Sequence, residues 1–138
     1  AVHDIGKITL PSEILNKSGR LSAEEFSVIK SHPRVGYEVL RNLEFEWPVA
    51  EAVLYHHERL DGSGYPLGLR GDDIMIEARI LAVVDVFESM ISHRPYRPAR
   101  TVEEALEEIV EHDGTLYDRQ VVDALCRVIK KFPSAGCV

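Results

Sequence analysis

At 138 residues the chain suits a single domain, spanning 1–138, with one core. Apolar residues make up 45% and the formal net charge is -7, a balance that excludes a broad nucleic-acid or membrane-binding surface, which needs clustered Lys and Arg. No DNA partner and no membrane contact are expected, but a small anionic ligand remains compatible, because a metal and a few local cations can hold phosphate on an acidic protein. No apolar run approaches the ~20 residues of a bilayer span, and no signal peptide is visible. Cys126 falls in an apolar helical stretch and Cys137 near the C-terminus, without CxxC spacing; both read as free thiols of a cytoplasmic protein.

The pattern is helical nearly throughout. Ser22 with Glu25 forms a capping box, flanked by Leu21 and Phe26 as a hydrophobic staple. Pro33 displaces the preceding residue from helical geometry, so His32 sits at a break and Pro33 opens a helix running from Arg34 to Leu43. A further helix is expected from Pro48 to Glu58. Residues 59–75, with Gly62, Gly64, Pro66, Gly68 and Gly71, form a long loop of a length that is often functional. Residues 76–92 read as the most buried helix, with almost no polar face. Asp85 carries the only charge between Arg79 and Glu88, and burying an isolated carboxylate costs several kcal/mol unless it is paired or binds a metal. Thr101 and Glu104 make a second capping box, and Asp118 caps a last helix ended by Pro133.

Of the six histidines, four occupy distinctive settings: His3 beside Asp4, His32 beside Pro33, and the pair His56-His57. With Asp4 and Asp85 they form a set of nitrogen and oxygen donors that suits iron, manganese, zinc or nickel better than magnesium or calcium. Adjacent helical residues point about 100° apart. His56 and His57 therefore serve neighbouring metal positions unless the helix end distorts, and Asp4 can bridge two metals through its two oxygens. Taken singly, each residue has a plainer reading, as a surface histidine or a paired aspartate; the joint occurrence is what points to a metal. His93 and His112 read as surface residues. Arg94 and Arg97, taken alone, are ordinary surface cations. Tyr65 reads either as a stacking platform for a base or as an anchor of the loop.

These residues, read together, resemble the HD-GYP branch of the HD phosphohydrolases. The matching text is His3-Asp4-Ile5-Gly6-Lys7, Pro11 to Leu15, His32, His56-His57-Glu58 and Asp61-Gly62-Ser63-Gly64-Tyr65-Pro66-Leu67-Gly68-Leu69. It continues with Ala78-Arg79-Ile80, Asp85 and Arg94-Pro95-Tyr96-Arg97. The resemblance runs from residue 1 to about 130. It implies an all-α helical bundle holding two or three divalent transition metals, iron or manganese foremost, that hydrolyses cyclic di-GMP to the linear dinucleotide or GMP. It implies His3, Asp4, His32, His56, His57 and Asp85 as ligands, and Asp4, Lys7 and Asp85 as the catalytic group. Lys7, Arg94, Arg97 and Tyr65 would meet the substrate, and Gly64, Tyr65 and Pro66 would form the signature loop, which can contact partner domains such as diguanylate cyclases. An upstream sensor or receiver domain is also implied.

Two departures stand out. The resembled family carries a further ligand on a helix before the HD pair, whereas here only Ala1 and Val2 precede His3, so a chain truncated at its N-terminus is expected. One metal position would then be incomplete, and apolar surface would be exposed or covered by another chain, as in a homodimer. Glu88 stands where the family more often has Asp. Two other functions remain open: an HD phosphohydrolase of another nucleotide, and a metal-binding signalling module with little turnover.

Overall fold

In a computed structural model of the chain, residues 2–93 and 98–131 are described. Among them there is no β-strand and no helix long and apolar enough to cross a membrane. A 3-10 helix, Val2–Thr9, opens the chain. Seven α-helices follow: α1 (Ser12–Leu15), α2 (Ala23–Ile29), α3 (His32–Leu40), α4 (Val49–Tyr55), α5 (Ile76–Ile91), α6 (Val102–Glu111) and α7 (Arg119–Lys131).

Both expected capping boxes form. Ser22 Oγ accepts from the Glu25 N–H at 3.2 Å while Glu25 accepts from the Ser22 N–H at 2.7 Å. Thr101 and Glu104 repeat the exchange at 3.2 and 2.8 Å. Phe26 turns its ring edge to Tyr65, at 6.4 Å between centroids, so it serves a contact beyond its own helix. Pro33 lies in the first turn of α3, where its missing N–H costs nothing. Two helices stop sooner than their sequence pattern suggests. α3 ends at Leu40, and α4 ends at Tyr55 because the Glu58 N–H closes a turn onto the Tyr55 carbonyl at 2.9 Å. Pro133 and Cys137 lie outside the described residues, while Cys126 packs against the larger core.

Two apolar clusters make the interior. The smaller joins Leu40 of α3 to Ala50 and Val53 of α4, with Ile5 of the 3-10 helix packed on it. The larger joins Val83, Phe87 and Met90 of α5 to Ala105 and Ile109 of α6, Tyr117, and Val121 and Val122 of α7. α5 is less buried than its composition suggests. Ile76, Ile80 and Val84 stay 47%, 46% and 44% exposed, and with Val121, Leu125 and Val128 they line an apolar groove of about 400 Å³ between α5 and α7.

Gly6 sets the closest approach between elements. A methyl group there would overlap the His32 carbonyl oxygen and crowd the Gly36 N–H. The 3-10 helix thus lies directly on the backbone of α3. Overpacking a close contact costs about 1–3 kcal/mol. Gly6→Ala should lower stability by that order in urea titration.

Arg79 ties α5 to α7. Its Nε donates to the Ile74 carbonyl at 2.6 Å, one terminal nitrogen to Asp118 at 2.9 Å and the other to Asp72 at 3.0 Å. Asp118 Oδ1 also caps α7, accepting from the Gln120 and Val121 N–H groups at 2.8 and 3.2 Å. Burial pushes the Asp118 carboxyl up, but Arg79 and these two N–H groups together outweigh it and hold it below its ordinary 3.8. Its folded-state value is depressed, so its contribution is full above the ordinary value and is lost as pH falls through the folded one. Asp118→Asn keeps a capping side chain and loses the charge. The melting-temperature gap between wild type and this variant should be widest near pH 7 and close progressively below about pH 4.

Candidate metal centre

Four elements deliver the site. His3, Asp4 and Lys7 come from the 3-10 helix, His32 from the first turn of α3, His56 and His57 from just beyond α4, and Asp85 from the middle of α5. His32 and His56 are buried, at 1% and 0% exposure.

One donor group consists of His32, His56 and His57, whose ligand atoms lie within 4.8 Å of one another. The helical spacing of His56 and His57 had pointed to separate positions. They converge because α4 has already ended: His56 takes the C-cap position, and the two rings sit 4.0 Å apart at 40°.

His32 and His56 are oriented alike. The Nδ1–H of His32 donates to the Ile29 carbonyl at 2.7 Å, and that of His56 to the Val53 carbonyl at 2.6 Å. The tautomer is thereby fixed, and each Nε2 is left as an acceptor. Both Nε2 atoms are buried without a hydrogen-bond partner. A buried nitrogen with no partner is costly, and an imidazole tied by Nδ1–H to a carbonyl is the usual arrangement of a histidine ligand. Burial also keeps these rings neutral, lowering His32 and bringing His56 to about 4 and His57 to about 2. Neutral imidazole is the form that binds metals. The donor set therefore fits a divalent transition metal.

A second group is formed by His3, Asp4 and Asp85. His3 Nε2 lies 3.1 Å from Asp85 Oδ1 and 3.6 Å from Asp4 Oδ2. The hydrogen bond to Asp85 raises the His3 pKa; burial pushes Asp85 up, but His3 more than reverses this and holds it low. Asp4 faces both groups. Its other oxygen, Oδ1, lies 3.7 Å from His32 Nε2 and 2.8 Å from Lys7 Nζ. Lys7 reaches it from one turn along the same 3-10 helix. His3, Asp4, Asp85 and Glu88, with Leu81 and Val84, line a cavity of about 440 Å³.

Tyr65 stacks on His57, at 4.7 Å between centroids and 24° between planes. Its phenol is pushed up to about 12 by burial and stays protonated. Its Tyr65-Pro66 bond is cis. Gly64 lies against the backbone of residues 57–59, where a side chain would overlap the His57 carbonyl. Arg94 and Arg97 lie outside the described residues. His93 is exposed, and His112 closes α6 by donating to the Glu108 carbonyl at 2.9 Å.

Inspection of the sequence missed Glu58. It is 2% exposed, and its carboxylate accepts three N–H groups of the loop. A charged residue in an otherwise well-marked motif was the available signal.

Comparisons with known proteins identify the family. The HD domain family matches residues 1–121. The chain is 48% identical over 91% of its length to the cyclic di-GMP phosphodiesterase response regulator RpfG of Xanthomonas campestris, covering 34% of that protein. It is 45% identical over 94% of its length to a cyclic di-GMP phosphodiesterase of Thermotoga maritima, covering 36% of it. Among solved structures, a cyclic GMP-AMP specific phosphodiesterase of V. cholerae, V-cGAP3, superposes with a TM-score of 0.71 at 20% identity, covering 99% of this chain and 38% of that one. The chain thus spans about a third of the length of the curated relatives it matches. With a family match over residues 1–121 and helices throughout its described residues, the chain belongs to the HD domain family.

Proposed function

We infer that this domain is the catalytic unit of a metal-dependent cyclic dinucleotide phosphodiesterase, with cyclic di-GMP as its substrate. The observation that carries this reading is the Asp4 carboxylate, one oxygen toward His32 and the other toward His3, between two groups of donors. A first cation would be held by His32, His56, His57 and Asp4, and a second by His3, Asp4 and Asp85. Iron and manganese suit this mixture of imidazole and carboxylate, with zinc and nickel as substitutes. Such cations supply Lewis-acid charge to the phosphate oxygens and make water acidic enough to attack near neutral pH.

The chain's own groups do the rest. Lys7, already at the edge of the centre, neutralises a phosphate oxygen. Asp85 offers a carboxylate oxygen to orient the attacking water. Buried, neutral histidines exclude bulk water from the side opposite the substrate. Opening one P–O ester bond yields the linear dinucleotide, and opening both yields GMP. Arg94 and Arg97 are assigned to phosphate or guanine contacts on their place in the motif. Tyr65, with one face given to His57, acts chiefly as a loop anchor and borders the substrate with its edge. The extra length of the relatives supports an upstream sensor or receiver domain in a cytoplasmic signalling protein, with diguanylate cyclases as partners of the loop. Homodimerisation through exposed apolar surface fits the same role. Relatives named 3'3'-cGAMP-specific phosphodiesterases, 40% and 42% identical to this chain, make cyclic GMP-AMP the competing substrate.

Protein loaded anaerobically with iron or manganese should convert cyclic di-GMP to a linear product visible by mass spectrometry, faster than it converts 3'3'-cyclic GMP-AMP. A reversed preference would move the substrate assignment. Metal binding without turnover of either would favour the signalling-module reading.

His57→Ala should lower the metal-to-protein ratio in elemental analysis, and an unchanged ratio would remove His57 from the ligand set. Asp85→Asn should lose metal while the fold, followed by circular dichroism, is retained.

A further inference from the structure

The three histidines of the first group are held in two different ways. His32 and His56 are each fixed by an Nδ1–H bond to a carbonyl three residues earlier. Among the described residues no hydrogen bond orients the His57 ring. Nor does a helix, since α4 has ended at Tyr55. What lies flat against His57 is Tyr65, stacked at 4.7 Å and 24°. The direction of one donor therefore depends on a residue of the loop.

That loop is held by the residue next to His57. Glu58 Oε1 accepts from the Leu67 N–H at 2.7 Å and the Gly68 N–H at 3.2 Å, and Oε2 accepts from the Leu69 N–H at 3.0 Å. Successive amides around one carboxylate form a compact anion nest, and hydrogen bonds to an ionised acceptor are the stronger kind. The Tyr65 N–H donates to the His57 carbonyl at 3.2 Å, and Gly64 sits too close to residues 57–59 to admit a side chain. Residues 57 and 58 thus grip both sides of Pro66, and the loop returns the Tyr65 ring to His57.

We propose that Glu58 is a positioning residue for the metal centre: by binding the amides of Leu67, Gly68 and Leu69 it sets the Tyr65 ring, and through it the His57 imidazole. The proposal rests on the metal reading above and adds a residue outside the donor set. Support of this kind behind a ligand typically changes metal affinity 10–100-fold when removed. Gln in place of Glu58 turns an amide NH2 toward one of the three loop N–H donors, so a bond is replaced by a donor–donor clash.

Cobalt(II) serves as a coloured probe, titrated into wild type, Glu58→Gln, Tyr65→Leu and the double variant, with circular dichroism as the check on fold. Expected are a roughly tenfold or greater loss of Co2+ affinity, with an altered visible spectrum, in each single variant. Amide exchange at Leu67, Gly68 and Leu69 should quicken in Glu58→Gln. The double variant should lose little more than either single one, because both act through one ring. Folded single variants with wild-type affinity and spectrum overturn the proposal, as do fully additive losses. If Glu58→Gln fails to fold, Tyr65→Leu decides alone: unchanged Co2+ binding there overturns it. Failure of the wild type to bind Co2+ overturns the metal reading and this proposal together, whereas equal binding by all forms overturns only this one.

Discussion

The centre depends first on a contact without side chains: the 3-10 helix lying on the backbone of α3 at Gly6. His3 and Asp4 are carried by a short segment that could not hold a position alone. Pressed against the His32 carbonyl, the segment has one register, and that register puts Asp4 within reach of His32 and His3 within reach of Asp85. Ile5 adds an apolar anchor on the neighbouring cluster of Leu40, Ala50 and Val53. The pairing of Asp4 with Lys7 follows from the same segment, so the two side chains are carried together.

Around that contact the electrostatics divide. On the inner side are imidazoles kept neutral by burial, with the ring protons of His32 and His56 given to backbone carbonyls. On the outer side are the charged groups Asp4, Lys7, Asp85 and Glu88, with His3 between. The neutral side presents the unpartnered Nε2 atoms of His32 and His56 without adding charge to the interior.

Much of this was legible from residue types and order. Capping residues predict helix starts well because the signal is local: Ser22, Thr101 and Asp118 all behave as their neighbours suggest. Helix ends are harder. α4 stops at Tyr55, where a turn closes onto its carbonyl and Gly64 of the following loop lies against residues 57–59, a contact that no local pattern encodes. The same non-local event explains why His56 and His57 converge. The apolar face of α5 misled in the other direction: composition marks Ile76, Ile80 and Val84 as interior, but burial depends on whether a neighbour covers them. Glu58 escaped notice because its partners are main-chain amides, which every residue except proline carries.

The separation of the donors along the chain has its own consequence. His3 and Asp85 stand 82 positions apart, yet their side chains meet at 3.1 Å. Bringing such distant points together costs loop-closure entropy that the short local helices do not repay. A cation held by His3 and Asp85 would cross-link the two ends of that loop, and it would stabilise the native chain with the logarithm of its free concentration. The free energy of the folded domain would then depend on the free concentration of the cation as well as on its own packing.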